Sequence, residues 1–193
     1  MPSVFTVGHS NRPLADFLAL LAENGIEHLA DVRRFPGSRR YPHFGRDTLP
    51  ASLAEATIAY THFPALGGRR KSLPRPSGEG RVEGALSNAS PNSAWRVAAF
   101  AAYADYMLTD DFKSAFAELR SLAERSRTAI MCAEALPWQC HRRLIADQFL
   151  ATGWQVFDII GPHNTKPHEL PPFAKIVDAQ VTYPGVPTLF DSC

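Results

Sequence analysis

The chain has 193 residues, 45% apolar and 20% charged, a composition typical of one folded domain with a full core. Residues 1–5 lack the basic start of a signal peptide, and no apolar stretch reaches the roughly 20 residues of a membrane helix, so we expect no membrane association. Three cysteines, two of them close together, do not make a disulfide framework, which favours the reducing cytoplasm.

A strand–helix–strand unit begins the chain. The run SVFTVG predicts a strand over residues 3–8, residues 13–24 carry leucine and phenylalanine at helical spacing, and residues 26–32 predict a second strand. Two strands joined by a helix of this length run parallel to each other.

Helices and strands continue to alternate along the chain. The pattern predicts helices over 49–56, 94–107, 111–125 and 142–151, and strands over 58–63, 128–133 and 155–160. This order indicates an α/β protein, a single domain with a mainly parallel sheet flanked by helices in a Rossmann-like three-layer sandwich. We assign the domain to residues 1–164, with a mobile loop at 72–92. Residues 165–193 form a Pro-rich C-terminal tail, packed on the domain or used to dock a partner.

Four of the predicted strands end in polar motifs: GHSNR, DVRRFPGSRR, CAEALPWQCHR and GPHN. Ligands of an open parallel sheet bind beyond the carboxyl ends of its strands, so these motifs are expected along one edge. The residues predicted to share this neighbourhood are His9, Ser10, Asp31, Arg33, Cys132, Glu134, Cys140, His141 and His163.

Glu134 and Asp31 are the candidate general acid or base. A carboxylate just past a buried strand is unfavourable unless it is paired or used in chemistry, and an ion pair of Glu134 with Arg142 or Arg143 is the alternative.

Cys140 and His141 fall where the helix over 142–151 should begin. Free backbone N–H groups and the helix dipole lower a thiol pKa there. Cys140 or Cys132 is therefore a candidate nucleophile or metal ligand, and His141 and His9 are the residues that would orient it. A buried cysteine can equally be inert. No cofactor is predicted. Bound zinc or iron is an alternative that would have to recruit His9, Asp31 or His163, because the two cysteines are widely spaced.

The formal net charge is +1, but its distribution along the chain is uneven. Residues 33–81 contain ten basic and three acidic side chains, which points to an anionic partner. Aromatic rings interleave with these arginines, as in sites for single-stranded nucleic acid or nucleotides, although we expect Phe35, Tyr60 and Phe63 in the core. The predicted substrate-binding residues are Ser10, Arg33, Arg39, Arg40, Arg69, Arg70, Lys71 and Arg142.

Several segments together resemble the domain-of-unknown-function family 488, from about Thr6 to Ile160. They are TVGHSNRPLADFLALLAENGIEHLADVRRFPGSRRYPHF, PALGGRRK, FAAYADYM and AIMCAEALPWQCHRRLIADQFLATGW. The resemblance implies an α/β domain with the polar motifs as its signature and implies no particular reaction. The positions that carry it are Gly8, His9, Ser10, Asp31, Arg33, Pro36, Cys132, Glu134, Cys140, His141 and Arg142.

We therefore expect an enzyme that acts on a nucleic acid (DNA or RNA) or a nucleotide-like anion, using acid and thiol chemistry at the carboxyl edge. A nucleic-acid-binding module without chemistry and a metal- or haem-binding redox protein are the alternatives. In the tail, VPTLFD (186–191) resembles peptides that dock on sliding clamps, but Val186 replaces their leading glutamine, and packing on the domain is the alternative.

Overall fold

The computed structural model describes residues 1–37, 40–68 and 90–185. Its strands are β1 (Ser3–Gly8), β2 (His28–Asp31), β3 (Ala59–His62), β4 (Thr128–Cys132), β5 (Gln155–Gly161), β6 (Asn164–Pro167), β7 (Lys175–Val177) and β8 (Gln180–Thr182). Its α-helices are α1 (Leu14–Glu23), α2 (Leu49–Glu55), α3 (Ala98–Tyr106), α4 (Asp110–Arg125) and α5 (Arg142–Ala151). Single 3-10 turns lie at Pro42–Phe44, Pro64–Leu66 and Pro137–Gln139.

The main sheet has the strand order β3-β2-β4-β1-β5-β6. The first five strands are parallel, and β6 is antiparallel to β5. Because β1 and β2 flank β4, three of the four polar motifs follow adjacent strands in the middle of the sheet.

Each face of the sheet is covered by its own helices. Along β1, Val4 belongs to a core shared with α3, α4 and α5, whereas Phe5 and Val7 belong to a core shared with α1 and α2. Successive side chains of a strand point to opposite faces, so one strand serves both cores. The predicted α/β fold class and three-layer sandwich are confirmed.

The helices lie close to their predicted positions, with one clear difference at α3. Its predicted start was residue 94, but the helix begins at Ala98, because Val97 has an extended backbone (φ −86°, ψ 112°) and Trp95 before it packs on Phe173 and Tyr183. By contrast, α4 begins as expected, with the Thr109 side chain accepting from the Phe112 N–H as an N-cap. Among the described residues, no helix combines the length and apolarity needed to span a membrane.

Residues 164–185 form regular structure rather than an irregular surface tail. They add β6 to the sheet and form the β7–β8 hairpin. Gln148 of α5 holds this hairpin, donating to the Ala179 carbonyl and accepting from the Val181 N–H. These strands are mostly exposed and carry no alternation of apolar and polar residues, which is why the sequence pattern missed them. Residues 186–193, with the clamp-like motif, and 72–89 of the predicted loop lie outside the described residues.

Candidate functional site

The carboxyl ends of β1, β2 and β4 meet at one edge, and backbone hydrogen bonds tie their loops together. The His9 N–H donates to the Cys132 carbonyl (3.1 Å) and the Ser10 N–H to the Ala133 carbonyl (2.8 Å). Strand alternation then divides the polar side chains into two groups. One lies beside the α1–α2 core and the other beside the α3–α5 core.

The first group is centred on Asp31, which is fully buried. Arg33 binds its carboxylate in bidentate fashion, with Nε 2.9 Å from Oδ1 and Nη2 2.6 Å from Oδ2. The Tyr60 hydroxyl donates to Oδ2 at 2.8 Å, and burial together with the Asp31 charge raises the pKa of Tyr60, so it stays a donor. Both carboxylate oxygens of Asp31 are thus occupied, and the residue is arranged to hold Arg33.

His9 extends this group as a neutral ring. Its Nδ1 lies 2.9 Å from the Ser10 carbonyl, which can only accept, so Nδ1 carries the proton and Nε2 accepts from Arg33 Nη1 at 3.1 Å. The ring stacks on Phe44 with centroids 4.2 Å apart. Burial lowers the pKa of His9 to about 4, and the charge of Arg33 adds to this shift.

The second group consists of Cys132 at the end of β4, Cys140, and His141 at the start of α5. His141 Nδ1 lies 3.8 Å from Cys132 Sγ and 3.6 Å from Cys140 Sγ. His141 Nε2 lies 3.1 Å from the Val32 carbonyl and therefore carries the ring proton. The unprotonated Nδ1 faces two buried sulfur atoms, and the predicted placement of Cys140 and His141 at a helix start is confirmed.

The two thiols ionise at different pH. The hydrogen bond with Cys132 lowers the pKa of the Cys140 thiol to about 7, the positive charge of Arg142 adds to this shift, and burial opposes it. The same hydrogen bond and burial raise the pKa of Cys132. Cys140 therefore becomes the thiolate first, with the Cys132 S–H as its donor.

Arg142, a predicted substrate-binding residue, is instead fully buried. Its guanidinium donates to the backbone carbonyls of Glu134 and Ala135 and so positions the loop between the two cysteines. A Cβ atom at Gly8 would lie 1.8 Å from the Glu134 carbonyl oxygen, so only glycine lets β1 end against this loop.

Glu134 itself is exposed to solvent. The expectation that its carboxylate is desolvated beside the strand was wrong, because the chain turns outward after Cys132. The alternative, an ion pair of Glu134 with Arg142 or Arg143, is also wrong, since no ion pair of the described residues includes Glu134 and Arg142 binds its backbone carbonyl.

A third buried network was missed by sequence reasoning. The Thr6 hydroxyl, next to Arg142 Nε (3.4 Å), donates to Asp158. His168 bridges Asp158 (Nδ1, 2.7 Å) and Asp147 (Nε2, 2.9 Å), and the Tyr183 hydroxyl donates to Asp147 at 2.7 Å. The available signal was one aspartate within each of two apolar runs, LIADQF and VFDII, because a charge is buried only with partners.

Two aromatic rings at this edge are exposed. Phe35, which follows β2, is 72% exposed, and Trp138, which follows β4, is 52% exposed. The expectation of a core position was therefore wrong for Phe35, whereas Phe63 is buried and Tyr60 is half-buried.

Cations accompany these rings. The Arg34 guanidinium lies 5.7 Å from the Phe35 ring centroid, and that of Arg40 lies 5.5 Å from the Tyr41 ring centroid. The four other predicted cations, Arg39, Arg69, Arg70 and Lys71, lie outside the described residues.

Ser10 and His163 take separate positions. Ser10 has a positive φ of 50°, and its hydroxyl donates to Asn11 at 3.3 Å. His163 is exposed, and both its backbone N–H and its Nδ1 lie against Glu23 at the end of α1. The structure therefore does not bring His163 into either group at the carboxyl edge, because the β5–β6 turn carries it away.

Comparison with known proteins identifies a family. No curated protein and no solved structure matched the chain. The family described as "Domain of unknown function DUF488" matches residues 13–149, which include the DVRRFPGSRR motif and the CAE…CHR element but not GHSNR at residues 8–12. With most of its length covered, the chain belongs to this family.

Proposed function

We propose that the carboxyl edge of the sheet binds a single-stranded nucleic acid or a nucleotide-like anion, and that the protein is an enzyme acting on it. The reactive centre is the group of Cys132, Cys140 and His141. The observation that carries this proposal is the exposure of Phe35 and Trp138 at the ends of neighbouring strands, next to that buried group.

The exposed rings suit base stacking. Exposed apolar side chains that gather in one place mark a site for a ligand or partner, and Phe35 and Trp138 follow neighbouring strands at one edge of the sheet. Stacking of a base on such a ring contributes about 1–3 kcal/mol and tolerates any base. Trp138 lies in the short loop between the two cysteines, so a base stacked on it lies close to the sulfur atoms.

The nearby cations suit phosphate. Arg34 and Arg40 are exposed, and each lies over a neighbouring ring. A Cβ at Gly67 would lie 2.6 Å from Arg34 Cβ, and one at Gly68 would lie 2.8 Å from His141 Nδ1. Gly67 therefore packs against the backbone and Cβ of Arg34, and Gly68 packs against the His141 imidazole, so two successive residues lie between Arg34 and the reactive centre.

The displaced pKa values of two side chains at this edge favour an enzyme over a binding module without chemistry. The pKa of Cys140 is lowered to about 7 and that of His9 to about 4, on the two sides of one sheet edge. Groups with displaced pKa values concentrate at reactive sites, and these lie where an open parallel sheet binds its ligands.

Binding is tested by fluorescence anisotropy with a labelled single-stranded oligonucleotide. Phe35→Ala and Trp138→Ala should each weaken binding by about 5- to 100-fold, as expected from lost stacking. Val177→Ala, at an exposed apolar residue of the β7–β8 hairpin, is the matched control and should bind as the wild type does. Absence of binding by the wild type, or equal losses in the control, would overturn the proposal.

The electrostatic part is tested by the salt dependence of the same binding. Arg34→Gln and Arg40→Gln should each reduce the slope of log affinity against log salt by about 1. Arg120→Gln on α4, which removes an exposed arginine paired with Glu124, should leave the slope unchanged.

Catalysis is tested by incubating the protein with single-stranded oligonucleotides and nucleotides and detecting products by mass spectrometry. Cys140→Ser should still bind the oligonucleotide but form no product. Product formation at the wild-type rate in Cys140→Ser would remove the cysteine from the reaction. Binding without any product would leave the non-catalytic module as the function.

A further inference from the structure

We infer that Cys132, Cys140 and His141 form a three-ligand site for a thiophilic divalent metal ion, with zinc as the expected occupant. Metal binding stands on the geometry alone, and only the use of the fourth coordination position rests on the proposed function.

The ligand atoms have the spacing that zinc requires. With Zn–S bonds of about 2.3 Å and Zn–N bonds of about 2.0–2.1 Å, tetrahedral geometry separates a sulfur and a nitrogen ligand by about 3.6 Å. The observed separations from His141 Nδ1 are 3.6 Å to Cys140 Sγ and 3.8 Å to Cys132 Sγ. All three atoms lie within 4.8 Å of one another.

The histidine is already oriented as a ligand. His141 Nε2 donates to the Val32 carbonyl, so the lone pair of Nδ1 faces the sulfur atoms. A hydrogen bond from the far nitrogen to a backbone carbonyl is the usual support of a metal-bound imidazole, since it fixes both the tautomer and the ring orientation.

The surrounding chain holds the two sulfur atoms together. Cys132 ends a central strand of the sheet, and Cys140 precedes α5, so both backbones belong to the packed core. Arg142 binds two carbonyls of the intervening loop and keeps its ends close. A divalent cation also neutralises two buried thiolates, which would otherwise be unfavourable away from water.

Among the described residues, the group has three ligand atoms, from Cys132, Cys140 and His141. Three protein ligands and an open fourth position are the arrangement of catalytic zinc, where water or substrate completes the tetrahedron and the metal acts as a Lewis acid. Under the proposed function, that position takes a water molecule or a phosphate oxygen held by the edge arginines.

The test uses the full-length chain purified without a metal-affinity tag. Elemental analysis should find about one zinc ion per chain, and Cys132→Ser, Cys140→Ser and His141→Gln should each lose most of it. His62→Gln is the matched control, because His62 ends β3 at the same edge of the sheet and donates to the Arg33 carbonyl outside the group. Equal metal content in all four variants would overturn the inference.

A second measurement does not need the variants to fold. Cobalt added to the metal-free wild type should produce thiolate-to-cobalt charge-transfer absorption, and zinc should protect Cys132 and Cys140 from alkylation, as read by peptide mass spectrometry. Absence of both effects would also overturn the inference.

Oligonucleotide binding by the zinc-loaded protein separates the two proposals. Metal without oligonucleotide binding sustains the metal site and refutes the proposed function. Oligonucleotide binding by a protein that binds no metal sustains the proposed function and refutes the metal site.

Discussion

We expect His168→Gln to destabilise the protein by an amount that depends on pH. Burial by itself lowers the pKa of His168, but the hydrogen bonds to Asp147 and Asp158 and their charges outweigh it and raise the pKa to about 9. Relative to an unfolded value of about 6.5, this displacement corresponds to about 3 kcal/mol of stability from the protonated ring. Because the folded pKa is the higher one, the contribution is complete below about pH 6.5 and is lost as the pH rises through about 9.

Urea denaturation of the wild type and His168→Gln at several pH values measures this contribution. The difference in the free energy of unfolding should shrink by about 3 kcal/mol between about pH 6 and pH 10. Comparing the two proteins cancels the titration of other groups. His163→Gln, at an exposed histidine, is the matched control for replacing an imidazole by an amide.

A difference that stays constant across this range would refute the reasoning. If His168→Gln does not fold, the denaturation experiment is replaced by an NMR titration of the His168 ring in the wild type. A midpoint near 9 supports the buried ion pairs, and a midpoint at or below about 6.5 contradicts them.

Three further outcomes are expected. Gly8→Ala should destabilise the fold by about 1–3 kcal/mol or more in urea denaturation, because its Cβ would overlap the cysteine loop, whereas Gly161→Ala, with open space around it, should be neutral. Tyr60→Phe should lower the free energy of unfolding by about 1–3 kcal/mol, since it removes a hydrogen bond to the buried Asp31 carboxylate, and a change below about 0.5 kcal/mol would contradict that contact. His9 has its folded pKa lowered to about 4, so the wild type should lose up to about 3 kcal/mol as the pH falls from about 6.5 to 4. His9→Gln should lose less over that range in the same assay, and an identical acid profile would refute the neutral-ring assignment.

The sequence alone predicted the α/β class and the parallel strands of the main sheet, but not β6 or the β7–β8 hairpin. Helical spacing over 13–24 and 142–151, with apolar runs at 3–8 and 128–133, predicted elements that the structure has within a few residues. These signals are local, since the period of apolar residues reflects which face of one element is buried. The same logic predicted that polar motifs at strand ends meet at one edge, and that Cys140 and His141 stand at a helix start.

Only the tertiary structure decided which side chains meet. Strand alternation placed Asp31 with His9 on one face and Cys132 with His141 on the other, and burial made Arg142 a support of the loop. His168 joins Asp147 and Asp158 from a segment without a periodic pattern. These outcomes depend on distances between residues far apart in the chain. Burial and charge pairing are set by those distances, and no local pattern of residue types contains them.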